Sequence, residues 1–179
     1  KSSQRKNAIQ NMVDLSRDAL PIEAEALDTN IWLLNTPTGT LDLKADKVLP
    51  HRKDDYITKI TRAKFVPSAR APRWQKFLQE TTGNNPRMIL FLQKLAGYLL
   101  TGSVREEKFF MIHGPGQSGK SKFLEALLYA FGDYAKVCPS DILLTTRGTT
   151  ASLAISELQG VRLAWVDESD ADECLAESR

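Results

Sequence analysis

The chain has 179 residues, enough for one ordinary domain or a small domain with part of another. Hydrophobic residues make up 42% and charged residues 26%, the proportions of a globular protein, and no apolar run approaches the ~20 residues that cross a bilayer. Net charge is only +2, yet 16 Lys and Arg face 10 Asp and Glu over residues 1–100, while 2 face 7 over residues 151–179. Charge alone therefore reads as solvated surface, although the basic first half is compatible with nucleic-acid phosphates.

Residues 1–28 are polar, with Ile9, Met12, Val13, Leu15 and Leu20 at helical spacing and a break at Pro21. The chain opens on Lys1 without a methionine or an apolar signal core, and it reads as an excerpt of a longer protein. Ile31 to Leu34 form an apolar run suited to a strand, Thr36-Pro37-Thr38-Gly39 has turn chemistry, and Leu41-Asp42-Leu43 alternates as a second strand does. Val48 to Ile60 reads as extended and irregular, interrupted by Pro50. Pro67-Ser68-Ala69-Arg70-Ala71-Pro72 is a sharp turn or linker, so residues 1–70 are expected to form a small mixed α/β unit.

From Pro72 the pattern turns helical, with Trp74, Phe77 and Leu78 on one face and a stop at Thr82-Gly83-Asn84-Asn85. Pro86 suits the first position of a second helix, which buries Ile89, Leu92, Leu95, Ala96 and Leu99 and ends at Thr101-Gly102. Residues 71–103 thus form a helical connector or collar, without catalytic groups. In residues 104–179, Lys108 to His113 is a compact apolar run expected to be a buried strand of a parallel sheet. A glycine-rich loop follows, then a helix through Phe123, Leu124, Leu127, Leu128 and Phe131 that Gly132 ends. Ala151 to Leu158 reads as a short helix, and Val161 to Val166 as another buried strand. Strand, glycine loop, helix and a second strand ending in acids is the order of a nucleotide-binding α/β domain.

The chemistry lies in two places. Gly114-Pro115-Gly116-Gln117-Ser118-Gly119-Lys120-Ser121 is a complete G-x-x-x-x-G-K-[ST] loop. Its glycines let successive backbone N–H groups face one anionic centre, and the helix behind it adds the positive end of its dipole. Lys120 is the expected point charge for the β- and γ-phosphates of ATP, and the Ser121 hydroxyl the expected ligand of Mg²⁺. Some fifty residues later, Val161-Arg162-Leu163-Ala164-Trp165-Val166-Asp167-Glu168 ends an apolar strand on two acids. There Asp167 would support the Mg²⁺ shell and Glu168 would align the attacking water.

The bland reading holds for the rest. Cys138, Cys174, His51 and His113 share no metal-ligand spacing, and the cysteines read as reduced residues of a cytoplasmic protein. His113 is expected to be a packed strand end, Arg147 a solvated loop residue, and Trp32, Trp74 and Trp165 core rather than base-stacking platforms.

The loop and the acidic strand together resemble superfamily 3 helicases of the AAA+ class, and the match is closer to the phage/plasmid primase–helicase family. Similar phrases to Trp32-Leu33-Leu34-Asn35, Gly39-Thr40-Leu41-Asp42-Leu43, Pro50-His51, Asp54-Asp55-Tyr56, Ile57-Thr58-Lys59, Trp74 to Leu78, Gly97-Tyr98-Leu99-Leu100-Thr101-Gly102 and Glu107-Lys108-Phe109-Phe110 recur there. The resemblance implies a helicase-associated N-terminal domain over residues 1–70, a connector, and a P-loop AAA+ type parallel sheet over residues 104–179, cut short after the acidic strand. It also implies an ATP-dependent DNA helicase that moves on single-stranded DNA as a homo-hexamer, with a fused or associated primase, in the cytoplasm of a bacterial host. The family's sensor, DNA-binding hairpin and arginine finger fall beyond Arg179, and a sheet strand belonging between the loop strand and the acidic strand is missing, so these residues alone are expected to be a weak ATPase or none. Two other readings fit the loop: a small-molecule kinase, and an assembly module in which nucleotide only sets oligomeric state. DNA-independent transfer to an acceptor would favour the first, and hydrolysis indifferent to Glu168 the second.

Overall fold

The computed structural model describes residues 6–19, 22–139 and 157–166. Its first element is helix α1, Lys6–Ala19, on the apolar spacing seen in the sequence. Ile9, Met12, Val13 and Leu15 on it stay exposed, at 44% to 76%.

The antiparallel meander that follows is written in its turns. Asn30 accepts from the backbone of Trp32 at 3.1 Å and of Leu33 at 3.2 Å, which holds Ile31 and Trp32 in a turn. Strand β1, Leu33–Thr36, therefore starts two residues later than the apolar run. Pro37 and Thr38 make the reversal into β2, Gly39–Asp42, where Thr36 Oγ1 donates to Gly39 O at 2.7 Å. A third strand, β3, Lys47–Leu49, runs through the start of the stretch expected to be irregular. The cause is local: Asp42 Oδ1 accepts from Lys44 N at 2.9 Å and Ala45 N at 3.0 Å, and Asp46, at φ +51°, turns the chain back.

Two helices follow the turn at 67–71. Helix α2, Pro72–Thr81, and helix α3, Pro86–Leu100, both carry proline in the first turn, where its missing N–H costs nothing. The Asn85 side chain caps α3 by accepting from Arg87 N and Met88 N at 3.0 and 3.2 Å. Helix α4, Lys120–Phe131, ends at Gly132, a 3₁₀ turn over Gly132–Tyr134 leads into β4, Ala135–Cys138, and β4 pairs in parallel with β5, Leu163–Val166.

One buried cluster joins these pieces: Leu34 and Leu41 of the meander, Leu78 of α2, Phe123, Leu127 and Phe131 of α4, Tyr134, and Leu163 of β5. The ring of Trp74 stacks on Phe77 at 5.3 Å and on Phe123 at 5.6 Å, tying α2 to α4.

The expected strand over Lys108 to His113 is not formed. Residues 107–114 carry no strand pairing, and Phe109 and Met111 are 78% and 70% exposed. A buried parallel strand needs neighbours at its flanks, and among the described residues β4 pairs with β5 alone. Among the described residues the parallel sheet is two strands wide, within a mixed α/β arrangement. Only the end of the expected helix over Ala151 to Leu158 is described, and there residues 157–160 form a turn.

Candidate phosphate-binding site

The loop ahead of α4 curls because three of its residues hold positive φ: Gly114 at +151°, Gln117 at +61° and Gly119 at +87°. Gly119 is the N-cap of α4 and makes no side-chain cap, so the first-turn amides are left to whatever the loop encloses. Lys120 Nζ turns back into the curl and donates to Gly114 O at 2.9 Å, Pro115 O at 2.8 Å and Ser118 Oγ at 3.4 Å. Ser118, Gly119 and Lys120 are half-buried, and Gly114, Pro115, Gly116, Gln117 and Ser121 face outward.

A wall closes the loop from the side of α2. A Cβ placed on Gly119 would stand 2.5 Å from Thr81 Cγ2 and 3.2 Å from Phe77 Cε2. Thr81 and Phe77 therefore leave no room for a methyl group there, and the Trp74–Phe77–Phe123 stack fixes that wall to the first turn of α4. Sequence reading put Phe77 on a packed helical face but gave no sign that α2 touches the loop.

An ammonium, uncapped helix-terminal amides and the Ser118 and Ser121 hydroxyls are a donor set for a polyphosphate, and Lys120 meanwhile occupies the Gly114 and Pro115 carbonyls and the Ser118 hydroxyl oxygen. Ser121 stands one residue after Lys120, where its hydroxyl can serve a cation held by those phosphates. The other two expected residues, Asp167 and Glu168, lie outside the described residues, as do Arg147 and Cys174. His113 is exposed just before the loop. Trp74 is half-buried against the core cluster, Trp165 is half-buried on β5, and Trp32 lies 4.8 Å under the Lys44 ammonium. Burial pushes the Cys138 thiol up, away from a reactive thiolate. Among the described residues no group of three or more His, Cys, Asp or Glu could hold a metal, and no helix is long and apolar enough to cross a membrane.

A second polar centre went unread in the sequence. Arg162, immediately before β5, donates from Nη1 to Leu100 O at the end of α3 and from Nη2 to Leu33 O of β1 at 2.5 Å. Its guanidinium lies 4.6 Å over the Tyr134 ring, and the Tyr134 hydroxyl accepts from Asn35 N at 3.0 Å. Burial lowers the Arg162 pKa, partly offset by Tyr134 and Asp28, and burial likewise raises that of Tyr134. A cavity of about 200 Å³ adjoins the pair, lined in part by Asp28, Asn30, Leu33 and Val161. An arginine directly ahead of an apolar strand was the only sequence signal.

With this geometry in view, similarity to known proteins gains meaning. Residues 1–83, from α1 through the meander and α2, match the family model described as D5 N terminal like. Over 177 residues the chain is 30% identical to a protein of Acanthamoeba polyphaga mimivirus named as a putative helicase, a match covering 94% of this chain and 18% of that protein. The chain thus spans about 18% of the length of that curated relative. The first match is confined to the N-terminal part of the chain, and the second extends over nearly all of it.

Proposed function

We propose that the chain is part of an ATP-dependent DNA helicase of viral, phage or plasmid replication, and that Gly114 to Ser121 is its ATP-binding loop. The observation that carries this reading is the curl of the loop around Lys120 Nζ at the uncapped start of α4. The named relative supports the helicase half of the reading.

In this reading Lys120 exchanges the Gly114 and Pro115 carbonyls for phosphate oxygens, a step that leaves those carbonyls to solvent. The backbone amides at the start of α4 neutralise the remaining phosphate charge, aided by the helix dipole. Mg²⁺, when bound, would supply electrostatic stabilisation of the charge that develops in phosphoryl transfer. Ser121 and Asp167 would hold that ion, and Glu168 would accept the proton of the attacking water. Single-stranded DNA, a ring of identical subunits, and a primase fused or associated with it complete the proposal.

The test is ATP hydrolysis by the full parental protein with and without single-stranded DNA, beside Lys120→Ala and Glu168→Gln. The expected result is DNA-stimulated hydrolysis that Lys120→Ala abolishes and Glu168→Gln lowers at least ~100-fold, the scale of losing a residue that positions the nucleophile. Hydrolysis indifferent to DNA would remove the helicase claim. Hydrolysis unaffected by Glu168→Gln would remove the water-aligning role.

A further inference from the structure

We infer that Arg162 is a positioning residue: it clamps the meander and the end of α3 onto the strand that leads to Asp167 and Glu168. Four elements far apart in sequence meet on this one side chain. Its fork reaches Leu100 O and Leu33 O, its plane lies on Tyr134, and its own backbone N donates to Tyr134 O at 2.8 Å. Tyr134 carries the link further by accepting from Asn35 N, 99 residues earlier in the chain. Around the α3 exit, a Cβ on Gly102 would stand 3.3 Å from Arg162 Cγ, so the chain is folded closely about the arginine stem.

The energetics favour a positional role over simple stabilisation. Taking a guanidinium out of water is costly, and apolar side chains of similar volume commonly stabilise as well or better. A planar fork that bridges two carbonyls on different elements supplies something they do not, namely a fixed distance and angle between those elements. Here the fixed elements are the N-terminal meander on one side and β5 on the other. Arg162 stands five residues before Asp167 in the chain, so the placement of β5 governs where the proposed metal and water groups begin. The loop of the proposed phosphate site packs instead against Phe77 and Thr81 of α2. Arg162 should therefore act on turnover and not on nucleotide affinity.

The consequence for hydrolysis rests on the proposed function, whereas the clamp itself does not. The experiment is Arg162→Lys in the full parental protein, read by steady-state ATPase kinetics and by amide hydrogen exchange. Lysine keeps the charge and loses the two-pronged geometry. We expect kcat to fall roughly 10- to 100-fold, the scale of losing one charge-assisted hydrogen bond, with KM for ATP within about 2-fold. The Asn35 amide should exchange at least ~10-fold faster while amides in the middle of α4, such as Leu127, stay at wild-type rates. Wild-type kcat together with unchanged Asn35 exchange would overturn the inference. So would faster exchange spread evenly through α4, which is what mere loss of global stability produces. If Arg162→Lys does not fold, Tyr134→Phe tests the same joint, since it removes only the acceptor of Asn35 N; it must speed Asn35 exchange selectively, and failure to do so refutes the clamp. If the wild-type parent proves not to hydrolyse ATP, the exchange pattern still decides the clamp, and the functional reading fails separately.

Discussion

Replacing Gly119 by alanine tests whether α2 really forms the wall of the phosphate loop. Two penalties are expected. The backbone at φ +87° costs an L-residue ~1–2 kcal/mol. The new methyl, 2.5 Å from Thr81 Cγ2 and 3.2 Å from Phe77 Cε2, adds ~1–3 kcal/mol of overpacking. Chemical denaturation should therefore show a loss of ~2–5 kcal/mol for Gly119→Ala, taking the two terms together. The second variant isolates the contact. Thr81→Ser deletes Cγ2 and keeps the hydroxyl that donates to Phe77 O at 2.8 Å, so alone it should cost less than ~1 kcal/mol. In the double variant the steric term should largely vanish and the backbone term remain, giving a favourable coupling of ~1–3 kcal/mol. A coupling below ~0.5 kcal/mol, the scatter of independent sites, would refute the contact between α2 and the loop.

Gly132→Ala should be more damaging, because its Cβ would stand 2.7 Å from Arg62 N and from Ile60 O, backbone atoms that cannot rotate away. A loss of at least ~3 kcal/mol by urea denaturation is expected, and a near-neutral result would contradict this packing. Asn85→Ala should cost ~1 kcal/mol by the same measurement, the worth of a cap accepting from Arg87 N and Met88 N. Tyr134 sets an alkaline dependence: burial raises its pKa in the folded state, so the unfolded chain releases the proton first, near pH 10. Its contribution to stability is therefore present below about pH 10 and lost as pH rises through the folded value; Tyr134→Phe should make the alkaline decline above about pH 10 shallower, and an unchanged slope would count against burial of the phenol.

What was legible in the sequence had local causes. Proline at 72 and at 86 announced two helix starts, and Thr36-Pro37-Thr38-Gly39 announced the hairpin, because φ restriction and turn chemistry act within a few residues. Strand β3 was missed although its signal was equally local, in the Asp42 side chain that folds Lys44 and Ala45 into a turn. Strand β4 was missed because four residues, AKVC, alternate too briefly to outweigh their neighbours. The opposite error fell on Lys108 to His113, where an apolar run says that burial is wanted but not who provides it. Arg162 was illegible for the same reason: its partners lie 62 and 129 residues away, and charge at one position says nothing about carbonyls at another.

The loop of the proposed phosphate site takes its shape without a paired strand ahead of it. Its entrance is exposed through Phe109 and Met111, yet the curl closes on Lys120, the first residue of α4. The support comes instead from two directions. Ahead of the loop in sequence, α2 presses Thr81 and Phe77 against Gly119 and continues through Trp74 to Phe123. Behind it, Leu127, Phe131 and Tyr134 anchor α4 in the same buried cluster that holds Leu34 and Leu41 of the meander and Leu163 of β5. The segment matched to the D5 N terminal like model thus supplies part of the wall of the loop, since Phe77 and Thr81 fall within residues 1–83. Changes that loosen α2 should therefore be felt at Gly119, and the Gly119 and Thr81 cycle reads the strength of that contact directly.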